Sequence, residues 1–201
     1  MLGKISLPAD VTFYEGKLYT VDTEGNLCSI IVEEDIDSGK LSLSRIECIV
    51  TEAPLYFPAW PISAACRTRN YLVESRGALL LVRRRIFEQR FGDILNVALK
   101  VVQIEFEVLE ANFQSSQWVK VKSVGDDRVL FMGRNSQSVC VSQYRQKGNC
   151  IFFLEDMERW SFEDAPSSYA IYDMRNRMVE YPLPSGSCKG EKPPATWLFP
   201  R

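Results

Sequence analysis

Histidine is absent from all 201 residues. That removes Ser-His-Asp and Cys-His catalysis and the commonest metal ligand. No two of the six cysteines stand in C-x-x-C spacing, so a zinc site is not expected. Six cysteines are also too few for a disulfide scaffold, and there is no N-x-S/T acceptor. These features point to a reducing compartment, cytoplasmic or nuclear. Long apolar runs are lacking too. The run ALLLV at 78–82 is far too short to cross a bilayer, and Asp10 breaks the N-terminal stretch before any signal-like core forms. Neither a membrane nor a secretory route is expected. Net charge is −2, so there is no broad basic face for phosphate, and nucleic acid is not expected as a partner. Glycine-rich phosphate loops are missing as well, and no cofactor is expected.

What remains is ordinary globular composition, 46% hydrophobic and 25% charged, with enough length for a real core. Strand patterns dominate. Short runs rich in aromatic and β-branched residues, such as VTFY at 11–14 and LYTV at 18–21, are bounded by turn residues. Residues 103–108, QIEFEV, alternate as a strand with one wet face should. One stretch has helical spacing: Phe87, Phe91, Ile94, Leu95 and Ala98 predict a short helix, or else a loop between strands.

The chain echoes itself. Residues 19–30, YTVDTEGNLCSI, align without gaps on residues 71–82, YLVESRGALLLV. A weaker copy begins at Tyr172, with Asn176 in place of glycine. Gly16, Gly25, Gly77 and Asn176 are read as turn residues in left-handed backbone. Repeats of this kind suggest propeller blades, although any all-β chain reuses hairpin chemistry. The expected fold is all-β: a partial β-propeller of about three antiparallel four-stranded blades.

Acidic runs at 33–37, 155–158 and 163–164 resemble calcium or glycosidase groups only faintly and read better as solvated loops. The cysteines read as small buried hydrophobes, with Cys28, Cys48 and Cys150 inside strand patterns. Candidate partner-binding residues are Trp60 and Trp160 in loop-like stretches, and Arg83 and Arg85, which strand alternation puts on one face.

Six segments, in order, resemble a known family. They are DVTFYEGKLYTVD at 10–22, YLVESRGALLLVRR at 71–84, WVKVKSVGDDRVLFMG at 118–133, NCIFFLED at 149–156, YDM at 172–174 and PPATW at 193–197. Together they are similar to the plant F-box-associated propellers, which carry domain of unknown function 295, the KIB-type β-propeller. The resemblance implies that residues 1–201 are the C-terminal portion of such a domain, with a Pro-rich closing tail at 183–201. It also implies a non-enzymatic protein-interaction module, like the substrate receptor of a ubiquitin ligase, whose target protein the sequence does not name. Leu7-Pro8 superficially resembles an F-box start, but strand-like sequence follows. No F-box is therefore expected, and a Skp1-type adaptor is not an expected partner. Other readings are a carbohydrate-binding or glycoside-processing propeller, and a truncated paralogue without independent function. As a fragment the chain should leave blade faces open and apolar, with Trp197, Leu198 and Phe199 of the tail packing on an earlier blade.

Overall fold

The computed structural model describes residues 7–35, 39–51, 64–91, 98–133, 135–144, 146–154 and 169–182. Among these there are thirteen strands and no helix. The first sheet is β1 (Pro8–Tyr14), β2 (Lys17–Asp22), β3 (Leu27–Glu34) and β4 (Leu41–Val50), paired in that order and antiparallel throughout. The second is β5 (Ala64–Ser75), β6 (Ala78–Phe91), β7 (Ala98–Asn112) and β8 (Gln117–Val121), again in order and antiparallel. Both belong to one compact unit, Met1–Val121.

A second unit, Lys122–Arg201, holds the third sheet. It is built from β9 (Arg128–Met132), β10 (Gln137–Cys140), β11 (Cys150–Leu154), β12 (Tyr169–Asp173) and β13 (Met178–Glu180), ordered β10-β9-β11-β12-β13. Three sheets are what the sequence leads one to expect, but this one has five strands and one parallel pair. β10 folds back on one edge of β9, so β11 must cross to the other edge and run parallel to it.

The tightest turns are two-residue hairpins. Glu15 and Gly16 have φ of 46° and 73°, and Arg76 and Gly77 have φ of 54° and 72°. Two successive positive-φ residues match the twist of the flanking strands, which is why glycine stands second in each. Gly25 (φ 98°) lies in a longer loop between β2 and β3. Asn176 lies in the turn before β13 as expected, but it is not the left-handed residue there. The left-handed residue is Arg177 (φ 59°), the last before β13, where its N–H reaches Asp173 O at 2.8 Å. Asn176 instead accepts the Met178 N–H through Oδ1 at 2.9 Å.

The helix expected near residue 87 is not found among the described residues. Phe87 and Phe91 lie on β6 and Ala98 opens β7, while Ile94 and Leu95 fall outside the described residues. β6 is paired along both edges, and every residue from Leu79 to Glu88 is buried. A strand covered on both faces loses the two-residue alternation that would betray it.

The two sheets of the first unit share a core. Tyr14, Tyr19, Val21, Leu27 and Val50 of the first pack with Leu72, Leu79, Leu81, Leu109, Ala111 and Trp118 of the second. Each valine and leucine among them contributes about 1.5–3 kcal/mol by leaving water. The third sheet has its own cluster around Val129, Val141, Cys150 and Phe152.

Candidate interaction surface

Hydrogen bonds from side chain to backbone lock the seam between the first two sheets. Asp10 on β1 accepts the Leu72 N–H of edge strand β5 at 2.8 Å. Burial pushes the Asp10 carboxyl above its ordinary value, against the N–H bonds from Leu72 and Val11 that lower it. The Tyr14 hydroxyl donates to Gly77 O at 2.7 Å, and Trp118 Nε1 donates to Gly25 O at 2.8 Å. Asn70 Nδ2 donates to Asp22 O at 2.9 Å and Thr23 O at 3.2 Å.

The loops are braced from within by an acid that the sequence shows recurring. Asp22 Oδ1 accepts the N–H groups of Glu24, Gly25 and Asn26 at 2.8–2.9 Å. Glu74 accepts the Gly77 N–H at 2.9 Å, and Asp173 accepts the Arg175 N–H at 2.8 Å. The acid in the echo is therefore a loop cap. An acid just before a Gly- or Asn-containing turn was the available signal.

Arg83 and Arg85 share a face, as alternation requires, but neither is at the surface. Arg83 is 0% exposed. Arg85 Nη2 meets Glu107 Oε2 at 2.6 Å, and Arg83 Nη1 lies 3.5 Å from the same oxygen. Lys120 Nζ approaches Glu107 Oε1 at 3.0 Å. Burial pushes the Arg83 guanidinium below its ordinary value while Glu107 opposes the shift. The pair fits interior ion pairing better than partner binding, which corrects the sequence expectation. β7 brings the carboxylates from a distant part of the chain, and no local pattern announces that. Trp60, Trp160, the acidic runs at 155–158 and 163–164 and the tail at 183–201 lie outside the described residues.

In the second unit Asp173 is held by Lys147 and Arg175. The Lys147 hydrogen bond keeps its carboxyl below the usual range, burial opposes this, and the Arg175 N–H and charge assist. Gly148 sits where a Cβ would lie 2.1 Å from Asp126 O, so backbone passes over backbone there. Among the described cysteines Cys28 and Cys150 are buried as expected, whereas Cys48, Cys66 and Cys140 are exposed. No three described His, Cys, Asp or Glu residues are placed to hold a metal ion. No described helix is long and apolar enough to cross a membrane.

The first sheet has a second face. Val11, Phe13, Leu18, Ile30 and Ile46 lie on adjacent rungs of it, followed by Val32 and Leu43 beyond a bulge. Phe13 is 73% exposed, Leu41 67% and Leu43 61%. A groove of about 620 Å³ runs over Phe13, Leu18, Ile30, Val32 and Leu41, with Lys17 and Glu47 also in its wall.

Comparison with known proteins gives these sheets their context. A family model described as the KIB1-4 beta-propeller matches residues 4–173. The chain belongs to this family. Its three mostly antiparallel sheets fit part of a β-propeller. It is also similar to an Arabidopsis thaliana protein named "Putative F-box protein", at 24% identity over 110 residues. That match covers 49% of this chain and 26% of the relative's length. No solved structure matches. A KIB1-4 propeller with an F-box relative is a protein-interaction module in kind.

Proposed function

We propose that this KIB1-4 propeller chain recognises target proteins for a ubiquitin ligase, without catalysing a reaction itself. The observation that carries the reading is the family match over residues 4–173, supported by similarity to a protein named for its F-box. The geometry agrees. Braced hairpin loops on stiff sheets present side chains in fixed positions, as recognition surfaces require. The chain itself does not engage a Skp1-type adaptor. It works where ubiquitin ligases do, in the cytoplasm or nucleus.

We read the open apolar face of the first sheet as the seat of a further four-stranded sheet, not as the target site. Superposing the two-residue turns sets Val11 against Leu72 and Leu18 against Leu79. Leu72 and Leu79 lie on the face of the second sheet that the first sheet covers. The open face thus occupies the position of a covered one.

The test fuses the chain to an F-box and reads ubiquitylated proteins in cell extract, with the F-box alone as reference. A reproducible set of proteins ubiquitylated only by the fusion is expected. The unfused chain should not bind purified adaptor. Direct binding of adaptor to the unfused chain, or identical profiles for fusion and F-box alone, would overturn the proposal.

A further inference from the structure

Cys28 on β3 and Cys48 on β4 are direct register partners. Side chains of directly opposed residues project to the same side of the sheet. Such residues have Cα atoms about 4.5–5.5 Å apart, inside the roughly 4.4–6.8 Å that disulfides span. The Cys48 thiol itself donates to Val50 O at 3.8 Å, along its own strand. The two cysteines lie at a bulge: Leu27 pairs with Val50 and Cys28 with Cys48, so Ile49 is the extra residue. A bulge lets a strand bend locally, and bending is what closing the pair requires. Opposed Cβ atoms stand about 4.5–5.5 Å apart, whereas a disulfide wants roughly 3.8 Å.

The two thiols differ in access. Cys48 is exposed and Cys28 is 3% exposed. Burial, reinforced by the neighbouring Cys48 thiol, pushes Cys28 up to about 12, so Cys48 is the thiol that reacts first and Cys28 the slower, resolving one. No other described cysteine has a cysteine opposite it. Cys66 faces Phe87, Cys140 faces Arg128, and Cys150 faces Asp173 and Val129.

We propose that Cys28 and Cys48 form a thiol-modification site, a cross-strand dithiol that closes reversibly to a disulfide by exchange with glutathione disulfide. Cys48, as thiolate, attacks one sulfur of glutathione disulfide. The S–S bond breaks, and one glutathione leaves as thiolate and takes a proton. Cys28 then loses its proton to solvent and attacks Cys48 Sγ, breaking the mixed disulfide and releasing the second glutathione. Two protein thiols are oxidised by two electrons, and one glutathione disulfide is reduced to two glutathiones. Because the strands must be drawn together, the bond is strained and readily reduced. It would tie β3 to β4 on the open face of the first sheet.

The test treats the full chain with glutathione disulfide under native conditions, then alkylates it denatured and maps peptides by mass. A Cys28–Cys48 disulfide is expected, with loss of alkylation at both positions together and recovery on adding reduced glutathione. Cys28→Ser should trap a glutathione adduct on Cys48. Cys48→Ser, a change at an exposed site, should leave Cys28 free after the same treatment. A parent chain in which glutathione stays on Cys48, in which Cys28 is modified alone, or in which Cys48 pairs with another chain or another cysteine would overturn the proposal.

Discussion

Replacing Asp22 by alanine should open the β2–β3 loop and weaken the seam beside it. One carboxylate there accepts three backbone N–H groups, at 2.9, 2.8 and 2.8 Å, and the Asn26 side-chain N–H at 2.7 Å. Each such bond contributes about 1 kcal/mol net, and bonds to charged acceptors more. Some of the freed amides would find water, since Glu24 is exposed. The loss should therefore be about 3 kcal/mol rather than the full sum. For a chain of this size that lowers Tm by roughly 6–12 °C. Asp22→Asn separates the causes. It keeps an oxygen for the three backbone groups but sets an amide against Asn26 Nδ2, so it should lose only ~1 kcal/mol. Thermal and urea melts read the stability. The fluorescence of Trp118, compared with Trp118→Phe, reads the loop, because its indole donates to Gly25 O within it. If Asp22→Ala melts with the parent, or Asp22→Asn falls as far as Asp22→Ala, capping is not what holds the loop.

Glu107→Leu removes a carboxylate 3.5 Å from buried Arg83 and strips Arg85 of its closest one, and should cost ~3–5 kcal/mol in urea. Arg83→Met should cost clearly less, because Glu107 keeps Arg85 and Lys120. Gly148→Ala forces a Cβ against Asp126 O and Arg128 N and should destabilise the second unit by at least ~1–3 kcal/mol, read as a lower urea midpoint. The Asp173 carboxyl is held below its ordinary value, so its contribution is present above the unfolded carboxylate pKa of about 3.9 and lost as pH falls through the lowered folded value. Asp173→Asn should therefore flatten the acid limb of a stability-versus-pH curve for the second unit, and an unchanged limb would contradict the assignment.

The parts of the fold that were legible are those fixed locally. Glu15-Gly16 and Arg76-Gly77 between alternating runs are hairpin chemistry, and both form as two-residue turns. The echo was real but stood for something else. Tyr19 lies on β2, the second strand of its sheet, whereas Tyr71 lies on β5, the first. The gapless alignment thus compares hairpins at different places in their sheets. Even the pairing differs, since Val21 opposes Leu27 across one turn and Ser75 opposes Ala78 across the other. Hairpin reuse explains the echo, and the true positional match, residues 10–20 with 71–81, shares little more than its turn glycine. What sequence could not show was burial. Arg83 and Arg85 look like surface charges until Glu107 arrives from β7. Cys48 looks like a core residue until the bulge at Ile49 resets its strand.

The positional match also decides what the open face should do. In the second sheet the equivalent face is covered, with Leu72 at 2% and Leu79 at 0% exposure. The aromatic and aliphatic face of Tyr14, Tyr19 and Val21 covers it. On the first sheet the same positions hold Val11 and Leu18 beside Phe13, and no described segment lies over Phe13, Leu41 or Leu43. Contiguous apolar patches of more than a few hundred Å² seldom face water on monomeric proteins. Expressed alone, the chain should bind a hydrophobic dye and scatter light as a self-associated species. Phe13→Glu with Leu43→Glu changes side chains that are already exposed, so the fold should survive while dye binding and association fall. A longer member of the family, with a sheet placed on this face, should show neither signal. A parent chain that is a clean monomer without dye binding would mean the face needs no cover, and an equal signal from the double variant would place the exposed apolar surface elsewhere.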